Sequence, residues 1–390
     1  MPVALFALAI GAFGIGLTEF VVAGILPQIA RDFRVDIPAA GLMATTYALG
    51  VFVGAPILTI LGAKVPRKTM LIGLAVIFTL GNAVTAFAPS LPIALAGRIL
   101  TAFNHGTFFG IGSIIAASLV ARDRQASAIA FMFSGLTMAN LIGVPAGTWL
   151  AQVYDWRLVF WLIAGIGLVT ALSVALLVPR IEAGKAIALK AELRAFMDPQ
   201  VLLAMGITIF GPAAFFTSIT YIAPMMVEET GLSESGVSRI MVLFGLGLVV
   251  GNWIGGRFAD RSLFGTLFVT LVAQAAVLVI FWLGVESPAV ASLSVFLMAA
   301  FGFATVSPIQ KLVMERASRA GAPTMAASVN IGMFNLGNAI GAWAGGATIA
   351  AGFGLSSPNW AGALLSLVAL GLAVVAWATS GGGYTAVLAE

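Results

Sequence analysis

Twelve stretches of this chain run almost without charge, and each is long enough for a helix to cross ~30 Å of hydrocarbon. They fall near residues 4–30, 38–62, 69–88, 91–119, 127–152, 157–179, 200–227, 237–258, 263–284, 288–313, 321–350 and 358–380. In lipid every backbone polar group must be satisfied internally, which leaves helices or closed barrels. A barrel strand shows alternation over ~10 residues. These runs are longer and evenly apolar, so the expected fold class is an all-α integral membrane protein with twelve transmembrane helices. Only 9% of the 390 residues are charged and 61% are hydrophobic, whereas soluble domains carry about 25% charge. A water-soluble enzyme, a nucleic-acid binder and a disordered chain are excluded on that ground. With no cysteine and one histidine there is no disulfide, thiolate site or thiol nucleophile, and no metal or cofactor is expected. The N-terminus lacks a basic n-region and a small-residue cleavage site, so the first run reads as a retained span.

Basic residues set the expected orientation. With the N-terminus cytoplasmic, the loops on that side hold Lys64, Arg67, Lys68, Arg122, Arg124, Arg180, Lys185, Lys190, Arg194, Arg257, Arg261, Lys311, Arg316 and Arg319. The opposite side holds Arg31, Arg34, Arg157 and Arg239, and Arg98 is left inside. Fourteen against four follows the positive-inside rule and puts both termini in the cytoplasm. The net charge of +4 then reports topology rather than an anionic partner.

The longest polar stretch divides the chain into a bundle over 1–179, a linker over 180–199 and a second bundle over 200–390. Within the linker Leu189, Leu193, Phe196 and Met197 share one helical stripe, with Lys190, Glu192 and Arg194 off it. That pattern fits a helix lying on the membrane interface, an unstructured linker being the alternative. The halves resemble each other. At a shift of 197, Gly14 and Pro27 meet Gly211 and Pro224, and Leu49, Gly50, Gly54 and Lys64 meet Leu246, Gly247, Gly251 and Arg261. At 198, Asn140, Gly143 and Gly147 meet Asn338, Gly341 and Gly345. A repeated six-helix half is a transporter architecture, with its substrate site between the halves near the midplane.

Glu19, Arg98 and His105 alone are ionisable and deep in the spans. Such groups cost about 2.5–3.5 kcal/mol each to insert and are functional by default. At 1.5 Å per residue, Glu19 lies ~16 Å from the outer end of its span, Arg98 ~10 Å and His105 ~21 Å. Glu19 is thus bracketed in depth by the other two, which share a helix face. Glu19 reads as the proton-binding group. Arg98 reads either as its partner or as a tie to backbone carbonyls, and His105 either as a proton group or as a neutral helix contact. The second half has Phe216, Ser294 and Phe301 at the matching positions, so proton chemistry belongs to the first half, facing a more apolar wall.

Polar or aromatic residues in mid-span are the candidate substrate contacts: Tyr47, Asn140, Phe216, Thr220, Tyr221, Asn252, Phe301, Gln310, Asn330, Asn335 and Asn338. Amides, hydroxyls and rings suit a small neutral or amphipathic molecule, and no charge array suits a phosphate or dicarboxylate. Ser113, eight residues after the sole histidine and without a third group, does not make a hydrolase. No Gly-x-x-x-x-Gly-Lys-Ser/Thr loop is present for ATP.

The segment Thr59 to Leu71, read Thr-x-x-x-Ala-Lys-x-Pro-Arg-Lys-x-x-Leu, resembles the loop between spans two and three of the major facilitator superfamily, with Thr59, Ala63 and Pro66 where that family has Gly, Asp and Gly. The second copy keeps Gly256 and Asp260–Arg261. Arg98, the Gly135/Gly143/Pro145/Gly147 set and Asp155–Trp156–Arg157 are similar to the drug:proton antiporter branch. Gly16-Leu-Thr-Glu-Phe20 with Ala23-Gly-Ile-Leu-Pro27 resembles bacterial arabinose/sugar efflux permeases and chloramphenicol-resistance exporters. The resemblance covers essentially the whole chain. It implies two pseudo-symmetric six-helix bundles and a monomer in the lipid of the bacterial inner membrane that exchanges a small-molecule substrate for protons. It further implies a conformational switch at Lys64, Arg67, Lys68, Asp260 and Arg261, and an antiporter motif at Gly135, Gly143, Pro145 and Gly147. A facilitator or proton-driven importer of a small polar solute is the alternative, because one fold serves both directions.

Overall fold

The computed structural model describes residues 2–121, 124–180, 197–320 and 326–380. Capping side chains open many of its helices. Asp36 accepts from the Ala39 N–H at 2.7 Å, Asp155 from Arg157 and Asp198 from Gln200, both at 2.8 Å, while Ser233, Ser262 and Ser287 do the same for later helices. Each satisfies backbone donors that a helix start leaves free. The first half comprises α1 (Ala4–Phe33), α2 (Ile37–Leu61), α3 (Arg67–Phe87), α4 (Leu91–Ser118), α5 and α6 (Trp156–Leu177). In α5, Gln125–Met138 passes through a π-helical stretch, Ala139–Gly143, into Val144–Val153. The second half comprises α7 (Pro199–Ile219, then Ile222–Glu228), α8 (Glu234–Arg261), α9 (Leu263–Leu283), α10 (Pro288–Ala304, then Val306–Arg319), α11 (Ala326–Ala350) and α12 (Ser357–Thr379).

Eleven of these pass a length-and-hydropathy test for a span. The remaining one, α11, has the length but is diluted by Asn330, Asn335, Asn338 and its glycines. No strand occurs among the described residues. The interfacial helix expected in the linker falls largely on 181–196, outside the described residues. Pro145 explains the π stretch. It offers no N–H to the Leu141 carbonyl and its ring clashes there, so the preceding turn widens.

The repeat is visible in the packing. Within the halves, α1 lies on α5 as α7 lies on α11, α2 on α4 as α8 on α10, and α3 on α6 as α9 on α12. The first of these pairs is made by glycine. A Cβ on Gly135 would stand 2.0 Å from the Ala9 carbonyl oxygen of α1, and one on Gly341 2.3 Å from that of Ala213 in α7. Gly143 and Gly147 continue the first seam against Phe13 and Val21. Small residues permit this approach and dispersion rewards it. Gly135→Val is therefore expected to force α1 and α5 apart and cost about 1–3 kcal/mol, read as a lower Tm in detergent; an unchanged Tm would show the seam to be yielding.

Between the halves, α2 runs along α11 and α5 along α8. The second seam is uneven: α8 packs on residues 139–153 of α5 far more than on Gln125–Met138. The end of the molecule bearing the N-terminus and the basic loops is called the basic end below, and the other the far end. The α5–α8 seam is closed toward the far end. Leu168, Leu172, Leu176, Val269, Val272 and Leu364 are exposed on α6, α9 and α12, the surface that lipid covers.

Candidate functional site

Glu19 stands near the middle of α1, its side chain 8% exposed. Its carboxylate lies 4.0 Å from His105 Nδ1 on α4, beyond hydrogen-bond length. The same Nδ1 shares a 3.1 Å hydrogen bond with the Tyr47 hydroxyl of α2. Tyr47 also covers the Arg98 guanidinium, whose centre is 4.2 Å from the ring centroid, a stacking that a desolvated cation favours. Arg98 does not use its bonds on Glu19. Its Nη1 donates to the hydroxyl of neighbouring Thr18 at 2.9 Å, and its Nε to the Met43 carbonyl of α2 at 3.2 Å. Thr18 passes its own proton to Asn82 Oδ1 of α3 at 2.8 Å. Thr18, Asn82 and Arg98 are fully buried, so one polar knot ties four helices together directly beside the carboxylate. Arg98 thus bonds a backbone carbonyl and the side chain of the residue before Glu19, and makes no hydrogen bond to the carboxylate itself.

Phe20 follows Glu19 and points into the other half. Its ring lies 5.7 Å from Phe216, 5.7 Å from Phe244 and 6.3 Å from Phe303. Phe215 closes the group, stacked on Phe244 at 5.7 Å and edge-on to Phe303 at 5.9 Å. The apolar wall expected opposite the carboxylate is thus built from α7, α8 and α10. Its α10 member is Phe303 rather than Phe301, which is half-buried and stands outside these ring contacts. Phe215 and Phe244 were missed because in sequence they are two among 27 phenylalanines. Adjacency of Phe20 to the buried acid was the available signal.

The other candidates divide by what already satisfies them. Thr220 donates to the Phe216 carbonyl of its own helix at 2.7 Å. Tyr221, toward the far end, donates to the Ala342 carbonyl at 2.7 Å and lies against Gly41, Gly345 and Gly346, so it serves packing between halves. Asn330 accepts from Thr208 at 2.9 Å and donates to Gln310, joining α7, α10 and α11. Asn252 is exposed; it lies seven residues beyond Gly245, which packs on the Asn140 carbonyl, and so faces the part of the α5–α8 seam that diverges. Asn140 and Asn335 return their amide N–H to the carbonyls of Leu136 and Ile331, at 3.0 and 2.9 Å. Their Oδ1 atoms, and both polar atoms of Asn338, are buried without a hydrogen-bond partner among the described residues. No cluster of three or more metal-ligating side chains occurs among those residues.

At the basic end Lys64 is exposed, with Arg67 and Lys68 half-buried at the start of α3. Asp260 pairs with Lys311 of α10 at 3.2 Å, inside its own half, and Arg261 lies over Phe258. The far end is tied across the halves. Arg31 of α1 bonds Glu234 of α8 at 2.8 Å and Gln28 reaches the same carboxylate at 3.4 Å. Gln152 of α5 donates to the Glu234 carbonyl at 2.6 Å and accepts from Ser238 at 3.0 Å. An exposed pair is worth at most about 1 kcal/mol. Glu234→Ala is accordingly expected to raise the far-open population only a few-fold. Spin labels on cysteines placed at the far ends of α1 and α8, in a chain that has none, would read the longer distance. An unchanged distribution would reduce this latch to a surface contact.

Two repeated six-helix bundles, closed toward one end over buried polar groups at mid-depth, are those of a membrane transporter. The pattern that defines the Major Facilitator Superfamily matches residues 8–331. The chain is 46% identical over 366 residues to the inner membrane transport protein YdhP of Escherichia coli (strain K12), covering 94% of both. It is 35% identical over 381 residues to a chloramphenicol resistance protein of Streptomyces lividans, covering 95% of both. In fold it is similar to a D-xylose-proton symporter, with a TM-score of 0.74 at 14% identity over 96% of this chain and 97% of that one. The chain belongs to the Major Facilitator Superfamily. It is a multi-pass transporter of the inner-membrane type and not an enzyme.

Proposed function

We propose that this protein exports a small neutral or amphipathic molecule, a sugar or a drug, in exchange for protons by alternating access. In this reading residues 1–179 and 200–390 are the moving halves, the basic end is cytoplasmic with both termini there, and Glu19 carries the proton. One observation bears most of the weight. A carboxylate at mid-depth stands 4.0 Å from His105, which shares a hydrogen bond with Tyr47, while the hydrogen bonds of the nearby Arg98 go to Thr18 and Met43 and its Nη2 has none among the described residues. An intramembrane acid not committed to a structural ion pair is placed to take up and release a proton. Export is supported by the resemblance of Thr18-Glu19-Phe20 and the α5 glycines to exporters, and by similarity to a protein named for chloramphenicol resistance. The test is proteoliposomes holding the purified chain, with chloramphenicol and D-xylose as probes. A gradient that drives a probe uphill against proton flow supports exchange. Uphill movement with the protons would make the protein an importer, and equilibration alone a facilitator.

A further inference from the structure

Buried side-chain atoms without a hydrogen-bond partner among the described residues include Arg98 Nη2 and Asn104 Oδ1 of α4, Asn140 Oδ1 of α5 and Gln274 Oε1 of α9, and α11 gathers three more, Asn335 Oδ1 and both polar atoms of Asn338. Ile331, Asn335 and Asn338 follow at i, i+4 and i+7 and share one face of that helix. Ile331 packs with Tyr47, Val51 and Ala102 of the other half, and lies 3.4 Å from where a Gly106 Cβ would be, one residue past His105. The face is therefore turned toward the wall that holds Tyr47 and His105. Gly337 and Gly341, on another side of the helix, meet α7. Asn338 stands at the centre of Ala326–Ala350, and Asn335 one turn nearer the basic end.

Both side chains are enclosed, Asn335 at 2% exposure and Asn338 at 0%. The Asn335 amide nitrogen is committed to the Ile331 carbonyl, which fixes its Oδ1 as an acceptor facing away. That oxygen has no partner among the described residues, and neither polar atom of Asn338 has one. A buried amide without partners costs stability, so native chains keep few. The repeat gives an independent sign. Asn140, the counterpart of Asn338 at a shift of 198, is also buried with an unpartnered Oδ1. Helix α11 itself carries no charge from Ala326 to Ala350. Its face offers two carbonyl acceptors and one amide donor. A carboxylate or phosphate would meet oxygen there, whereas hydroxyl or amide N–H groups would be matched.

We propose that Asn338, with Asn335, is the hydrogen-bonding subsite for the transported molecule, and that this molecule is uncharged and rich in hydroxyl or amide donors. The inference rests on the reading of the chain as a carrier of small neutral or amphipathic molecules and narrows it.

The test is equilibrium binding to the purified full-length protein in detergent, at one pH and without a gradient. The probes are chloramphenicol, D-xylose and L-arabinose, which present hydroxyl or amide donors, and tetraphenylphosphonium, which presents none. Asn338→Leu should weaken the donor-bearing probes by roughly ten- to a hundredfold and leave any tetraphenylphosphonium binding within about twofold. Because Leu replaces an unsatisfied amide at similar volume, the variant's Tm should equal or exceed that of the wild type. Asn335→Leu should follow with a smaller loss. A lower Tm accompanying the loss of all probes would make Asn338 a structural amide and overturn the proposal. Unchanged affinity for the donor probes, or wild-type protein that binds none of them, would overturn it as well. If binding ignored Asn338 while uphill transport still required Glu19, this subsite would fall and exchange would stand. If binding needed Asn338 but no uphill transport occurred, the reverse would hold.

Discussion

Glu19→Gln is expected to abolish uphill export while leaving exchange of substrate for substrate intact. One pH unit across the membrane is worth about 1.36 kcal/mol per proton. A one-for-one exchanger can therefore hold about a tenfold substrate gradient for each unit of ΔpH, and a protein unable to carry the proton holds none. Glutamine keeps the volume and the hydrogen-bonding edge of the acid, so packing against His105 and Tyr47 survives. The neighbouring knot of Thr18, Asn82 and Arg98 does not include the carboxylate and should keep the helices assembled. The measurement is accumulation of a labelled probe in proteoliposomes under an imposed pH step, alongside counterflow without one. A variant that still accumulates its substrate would move the coupling group away from Glu19. A variant that loses counterflow too would mean that the carboxyl binds substrate directly.

The fold was legible in the sequence because a bilayer leaves little freedom. Runs such as 263–284 and 358–380 can only be spans, and the observed helices Leu263–Leu283 and Ser357–Thr379 differ from them by a residue or so. The clustered matches between the halves reappear as the same helix pairings. Gly135 and Gly341, though not at matching positions of the repeat, each meet a backbone oxygen, of α1 and of α7.

The site was legible only in part. Charge at depth is rare enough that Glu19, Arg98 and His105 declare themselves, and rise per residue brackets Glu19 in depth between the other two. What cannot be read from spacing is which groups the protein uses up internally. Thr18 and Asn82 look like ordinary polar residues, yet they hold Arg98 beside Glu19. Asn330 and Asn338 look alike in sequence, but one is bonded to Thr208 and Gln310 and the other to nothing described. Partner choice among equivalent amides depends on helix rotation by a few tens of degrees, which a hydrophobic pattern this uniform does not specify. The far-end tie between Arg31 and Glu234 was hidden for a related reason. It joins residues 203 apart, in the last turn of α1 and the first turn of α8, whose charges say only which side they lie on.

If Glu19 and substrate exclude one another, binding must depend on pH in a defined direction. The deprotonated carboxylate belongs to the substrate-bound form, and protonation releases substrate. By linkage, the apparent Kd should be flat above the pKa of Glu19 and rise about tenfold for each pH unit below it. The groups facing the carboxylate bear on the assignment. His105 stands at 4.0 Å with Tyr47 bonded to it, and Arg98 is bonded to the adjacent Thr18. Glu19→Gln must therefore remove the slope, whereas His105→Gln should shift the midpoint and keep it. Chloramphenicol and D-xylose binding to detergent-solubilised protein between about pH 5 and pH 9 reads all three profiles. Phe20 makes indirect coupling the natural rival, since it links the residue after Glu19 to Phe216, Phe244 and Phe303. A flat wild-type profile would exclude direct competition and leave coupling to that aromatic contact, through the equilibrium between conformations. A slope that survived in Glu19→Gln and vanished in His105→Gln would transfer the proton to the histidine.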